Sequence, residues 1–205
     1  MYEHNAALIR SHLGQGHEEP ATLKISCPPD HYLRLLEEAV FPSGETSICV
    51  SYDSYRSILR IQLYTDCIHD APLTFILRTI YDSPIAPARK SFHIFAGTTD
   101  FSGFLPPYEY SIKQPDIAIC PGSHHWPSLV VESGLNEDYE DLVADARLWL
   151  LGGRADNSAE PECRGQVNVV ILFIFIERTR RNFDEQSTPA CQSTGERVSC
   201  EGSAR

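Results

Sequence analysis

The sequence lacks a long apolar run. Its longest, Val167 to Ile176, is about half of what a membrane helix needs, so a spanning helix is not expected. It also lacks the charged start and apolar stretch of a secretory leader. Seven cysteines stand at 27, 49, 67, 120, 163, 191 and 200, with no C-x-x-C pair among them. An odd, unclustered set without a leader reads as reduced thiols in an intracellular protein of cytoplasm or nucleus, not a secreted one. Positive charge is scarce as well, with 17 Lys and Arg against 28 Asp and Glu. Three acids against two bases leave residues 1–26 at −1, and five of each cancel in 177–205, so residues 27–176 hold −10 of the formal −11. Such a domain has no general attraction to nucleic acid, although a local basic groove stays open to it.

What is present is a chain of 205 residues, enough for one domain with a sizeable core. Residues 1–26 are polar without sustained periodicity and are expected to be a flexible segment. Asp30 is a candidate cap for a short helix over 31–40, with Leu33, Leu36 and Val40 near helical spacing. SICVSY and SILRIQLY, rich in β-branched and aromatic residues, predict two strands, with Leu59, Ile61 and Leu63 on one face. Residues 69–82 predict a helix capped by Asp70 with Pro72 in its first turn. SFHIFA is a strand, 97–110 a loop, and 115–132 a hairpin. NEDYEDLVADARLWLLGG predicts a helix capped by Asn136 and closed by Gly152-Gly153. VNVVILFIFIE is apolar on both faces, as a covered central strand should be. Residues 178–205 are expected to be a disordered tail, leaving 27–177 as the folded domain. The order predicts an α/β fold, a mixed sheet with helices on both faces.

The hairpin carries the chemistry. Asp116 opens its first strand and Glu132 closes its second. In an antiparallel pair the start of one strand lies beside the end of the other, so two carboxylates meet on one face. Their repulsion calls for a cation. A hard ion, Mg²⁺ or Mn²⁺, with oxygen ligands suits the pair, and the carbonyl of Ser133 could add a third oxygen. Acids at strand ends are also common in ordinary turns. His124-His125-Trp126 falls at the far tip and reads as loop, and Arg178, Arg180 and Arg181 make only a short basic patch.

A helix, a strand, PDIAI, then PSLVVESG, then DLVADARLWL and an apolar strand resemble the PD-(D/E)XK restriction-endonuclease-like superfamily over roughly 57–176. In detail they are most similar to Uma-type endonucleases and related uncharacterised fungal proteins. The resemblance implies a restriction-endonuclease-like mixed sheet, a Mg²⁺-dependent nuclease acting on nucleic acid, and Asp116 and Glu132 as its metal-binding acids. The sequence departs from the pattern at one place: the lysine due two residues after Glu132 is Gly134. That lysine would stabilise charge at the phosphorus. Two residues could replace it. Lys113 precedes Asp116 by three, so strict alternation would point it away, and only an irregular backbone before Pro115 would turn it inward. Arg147 lies on the following helix near the place where Uma-type proteins carry a lysine, and could hold phosphate but not act as a base. Asp70 is a minor candidate for the metal and a better one for a helix cap. Glu137, Asp138, Glu140, Asp141 and Asp145 read as a solvated helix face. The alternative, from another class, is a catalytically inactive interaction module on the same fold.

Overall fold

The computed structural model describes residues 1–15, 21–43, 48–63, 70–82, 92–97, 99–122, 124, 126–135, 139–153 and 165–175. Helix α1 spans Tyr2–Leu13 and strand β1 Ala21–Ser26. Helix α2, Pro29–Leu35, continues through a π turn, Leu36–Val40, and a short 3₁₀ turn, Phe41–Ser43. Strands β2, Ile48–Asp53, and β3, Ile58–Leu63, follow, then helix α3, Asp70–Asp82, and strand β4, Phe92–Ala96. The hairpin is β5, Ile117–Pro121, and β6, Leu129–Leu135. Helix α4, Tyr139–Arg147, runs into a π turn, Leu148–Gly152, and strand β7 spans Val169–Phe175.

Among the described residues the strands form two sheets where the sequence predicts one. The first is antiparallel, in the order β1-β3-β2, and the second mixed, β4-β5-β6-β7. In the second sheet β6 and β7 run parallel, with α4 as the crossover that parallel strands require. The sheets are tied together by the chain ahead of β5. Ile112 exchanges both backbone hydrogen bonds with Tyr52 of β2, and Lys113 does the same with Phe101.

The segment 1–26, expected to be flexible, carries α1 and β1 in the structure. Ala6, Ile9 and Leu13 stand at i, i+3 and i+7, and all three are buried against α2 and the first sheet. Leu23 and Ile25 alternate along β1, which pairs with the whole of β3. The Asn5 amide donates to the Ser26 carbonyl at 2.8 Å, and the Tyr2 hydroxyl donates to Glu38. Burying Ile9 alone is worth about 1.5–3 kcal/mol, enough to offset the ordering of one or two residues. Asp30 does not cap α2: Pro28 precedes the helix, and Asp30 lies within the first turn.

A second core lies under the other sheet. Phe101, Phe104, Trp126 and Trp149 meet edge-on or tilted at centroid distances of 5.1–6.4 Å, over Ala118 and Val130. The apolar run of β7 joins this sheet as predicted but is not covered on both faces. Val169 is 46% exposed and Ile174 43%, because β7 falls at the end of the described strand order. The C-terminal stretch 178–205 lies outside the described residues.

Candidate functional site: a buried charge relay beside the hairpin

The register of the hairpin places the two acids. Ile117 faces Val131, so Asp116, one residue earlier, comes opposite Glu132, one residue later. Asp116 is half-buried, and its Oδ2 accepts the Ser133 N–H at 2.6 Å and the Ser133 hydroxyl. Ser133 therefore orients Asp116 through its N–H and hydroxyl. Glu132 is 4% exposed, and its Oε1 accepts the indole N–H of Trp149 at 2.6 Å.

Lys113 turns inward. Its backbone sits in an isolated bridge and not in a regular strand, so alternation along β5 does not govern it. Its ammonium is buried, 3.7 Å from Glu132 Oε2 and 2.6 Å from Asp145 Oδ2. The shorter contact is a charged hydrogen bond, and the longer one is electrostatic only. Asp145 also accepts Arg60 Nη1 at 2.8 Å. One turn earlier on α4, Asp141 takes Arg56 at 3.1 Å and Lys24, with Arg60 Nη2 at 3.7 Å. Charges thus alternate from the hairpin acids through Lys113, Asp145, Arg60 and Asp141 to Arg56 and Lys24. A cavity of about 10 Å³ beside them, lined by Arg56, Arg60, Lys113 and Asp145, has room for one water.

Burial pushes the Glu132 carboxyl up to about 8, with the neighbouring Asp116 and Asp145 charges adding and Lys113 opposing. Burial alone would favour a neutral Lys113, but Asp145 and Glu132 outweigh it, and the ammonium is held above the usual lysine range. Asp145 is held below the usual carboxylate range: burial opposes ionisation, and Lys113 and Arg60 overcome it. Lys113 and Glu132 both shift upward because Lys113 belongs chiefly to Asp145, leaving Glu132 poorly compensated. Two carboxylates side by side, one of them undercompensated, are a donor pair suited to a hard cation. Among the described residues no group of three or more His, Cys, Asp and Glu side chains converges to hold a metal ion.

The structure brings together Asp116, Glu132, Ser133 and Lys113. It leaves Arg147 exposed at the end of α4, where its charge bears on the hydroxyl of Tyr108. Asp141 and Asp145 do not belong to a solvated face: both are buried, which corrects the sequence reading. The cations Lys24, Arg56 and Arg60 escape that reading altogether. One signal pointed to Arg60, which alternates with Leu59 and Ile61 in mid-strand and so had to face something other than their core. Asp70 opens α3, His124 lies half-buried at the hairpin tip, and His69 and His125 are outside the described residues. Cys27, Cys49 and Cys120 are buried, and burial pushes Cys27 and Cys120 up to about 11, too high for ready nucleophiles. Among the described residues no helix is long and apolar enough to cross a membrane.

No family model, no curated protein and no solved structure matches the chain.

Proposed function

We propose that the chain is a divalent-metal-dependent phosphodiesterase of nuclease type on a restriction-endonuclease-like scaffold. Asp116 and Glu132 are the carboxylates for the ion, and Lys113 takes the place of the strand lysine that Gly134 leaves out. The observation that carries this reading is the inward turn of Lys113, whose ammonium stands 3.7 Å from Glu132 in a segment where strict alternation would have sent it outward.

Bound Mg²⁺ or Mn²⁺ supplies charge neutralisation at a phosphodiester and a more acidic water. The chain's own groups do the rest. Ser133 fixes Asp116, and Trp149 fixes Glu132 and screens it from bulk water. Lys113 holds a full positive charge 3.7 Å from Glu132, where charge on a phosphoryl oxygen is stabilised. The nucleic acid would reach the site from the side of Asp116, the half-buried member.

A second reading, a catalytically inactive interaction module, is favoured by one specific observation. Lys113, Asp145 and Arg60 satisfy one another in a space that admits a single water.

Thermal melts with Mg²⁺ and Mn²⁺, beside cleavage assays on single- and double-stranded DNA and RNA, separate the two. An ion at ten times its dissociation constant stabilises the folded chain by about 1.4 kcal/mol. Asp116→Asn should remove that gain and, for a nuclease, the cleavage as well. A metal shift without cleavage selects the inactive module. No shift at millimolar Mg²⁺ or Mn²⁺ refutes the metal site itself.

A further inference from the structure

We infer that Asp145 is a positioning residue that holds Lys113 away from Glu132 and so keeps Glu132 open to a cation; this rests on the metal-site reading above. The geometry leaves Lys113 two anions. Its backbone is pinned on both sides, through Ile112 to Tyr52 and through its own N–H and C=O to Phe101, so only side-chain rotation decides between them. The ammonium stands 2.6 Å from Asp145 and 3.7 Å from Glu132. Asp145 is itself fixed by Arg60 at 2.8 Å and cannot follow the lysine toward the hairpin. An ammonium at hydrogen-bond distance from Glu132 would spend that carboxylate's charge and repel an ion bound to it. At 3.7 Å it leaves the Oε2 lone pairs free, while Oε1 is occupied by Trp149. Asp145 thus touches neither ion nor substrate and acts through Lys113.

The test is a thermodynamic cycle read by Mg²⁺ and Mn²⁺ affinity, from titration calorimetry on the full chain. Asp145→Asn keeps the shape and removes the charge, so Lys113 turns to Glu132 and the dissociation constant should rise about tenfold. In a Lys113→Met background the same change has no ammonium to release. It should then shift affinity by less than about threefold, from the lost field of Asp145 alone. Asp145→Glu, which keeps the charge, should stay near the parent. Circular dichroism checks the fold of each variant, and should Asp145→Asn fail to fold, Asp145→Ser, neutral and smaller, takes its place in both backgrounds with the same expected outcomes. Equal losses in both backgrounds, or parental affinity in Asp145→Asn, overturn the positioning role. Absence of ion binding in the parent chain removes the metal site and the role together, and is recognisable because it appears before any substitution is made.

Discussion

Glu132 should make this protein less stable as pH rises from 5 to 8. Its carboxyl is pushed from 4.5 to about 8 chiefly by burial, with Asp116 and Asp145 adding to the effect. In the unfolded chain it titrates near its ordinary value. Between those two pH values the folded state keeps a proton that the unfolded state has released. Raising pH therefore favours unfolding: the contribution is full below about 4.5 and gone above about 8. The steepest slope for one such group is about 1.4 kcal/mol per pH unit. For a domain of this size 1 kcal/mol moves the melting temperature by about 2–4 °C, so a fall of roughly 3–6 °C per pH unit is expected. Glu132→Gln cannot ionise and should flatten the slope while still accepting the Trp149 N–H. Asp141 and Asp145 act in the opposite sense. Held below their ordinary range, they contribute stability above about 3.8 that is lost as pH falls through their lower folded values, so the acid limb should survive in Glu132→Gln. The assay is a set of thermal melts from pH 3 to 9 for both proteins, where the difference between them cancels the histidines. Equal slopes between pH 5 and 8 would refute the reasoning.

Ile9→Ala should cost about 2–5 kcal/mol in urea unfolding, since Ile9 is fully buried; a loss under about 0.5 kcal/mol would mean that α1 is not docked. Trp149→Phe keeps an aromatic ring in the core but removes the donor to Glu132, costing about 1–3 kcal/mol. Because that hydrogen bond favours the ionised carboxylate, its loss should also move the alkaline midpoint of the pH profile upward, and an unmoved midpoint would count against the contact.

Local patterns were legible where local forces decide. The hairpin follows from two β-branched runs around a Pro-Gly loop, and the observed pairing of Ile117 with Val131 is the one that its end acids suggested. Strands β2 and β3 and helix α4 follow from the same kind of signal. Helix α1 was not legible, because its stripe of Ala6, Ile9 and Leu13 is thin and interrupted by Asn5 and His12. It exists because α2 and the first sheet offer that stripe a place to bury, a tertiary effect that periodicity over one window does not contain. The π turn at Leu148–Gly152 is similar: it buries Leu148 and Trp149 fully, and nothing in the helical periodicity of the run marks it off from α4. The run in β7 showed that the strand can be buried. Its place in the sheet depends on the crossover through α4, and that leaves Val169 and Ile174 exposed.

The site divides along the same line. The meeting of Asp116 with Glu132 is a property of one hairpin, so sequence reached it. The position of Lys113 depends on two isolated bridges to Tyr52 and Phe101, and alternation has no force outside a regular strand. The acids of α4 looked solvated because a run of acids early in a helix complements its dipole at no structural cost. Their cations arrive from Lys24, Arg56 and Arg60, separated from them by 117 and 85 residues of chain. Removing one buried member of such a set leaves a buried charge uncompensated, which costs several kcal/mol. Gly134 sits two residues beyond Glu132 on the same strand. A lysine there would be a further cation in a cluster where Lys113 already supplies the charge nearest Glu132. The inward Lys113 and the absence of a second cation at Gly134 belong to one charge balance, and a reading of Lys113 that omits Asp145 leaves that balance open.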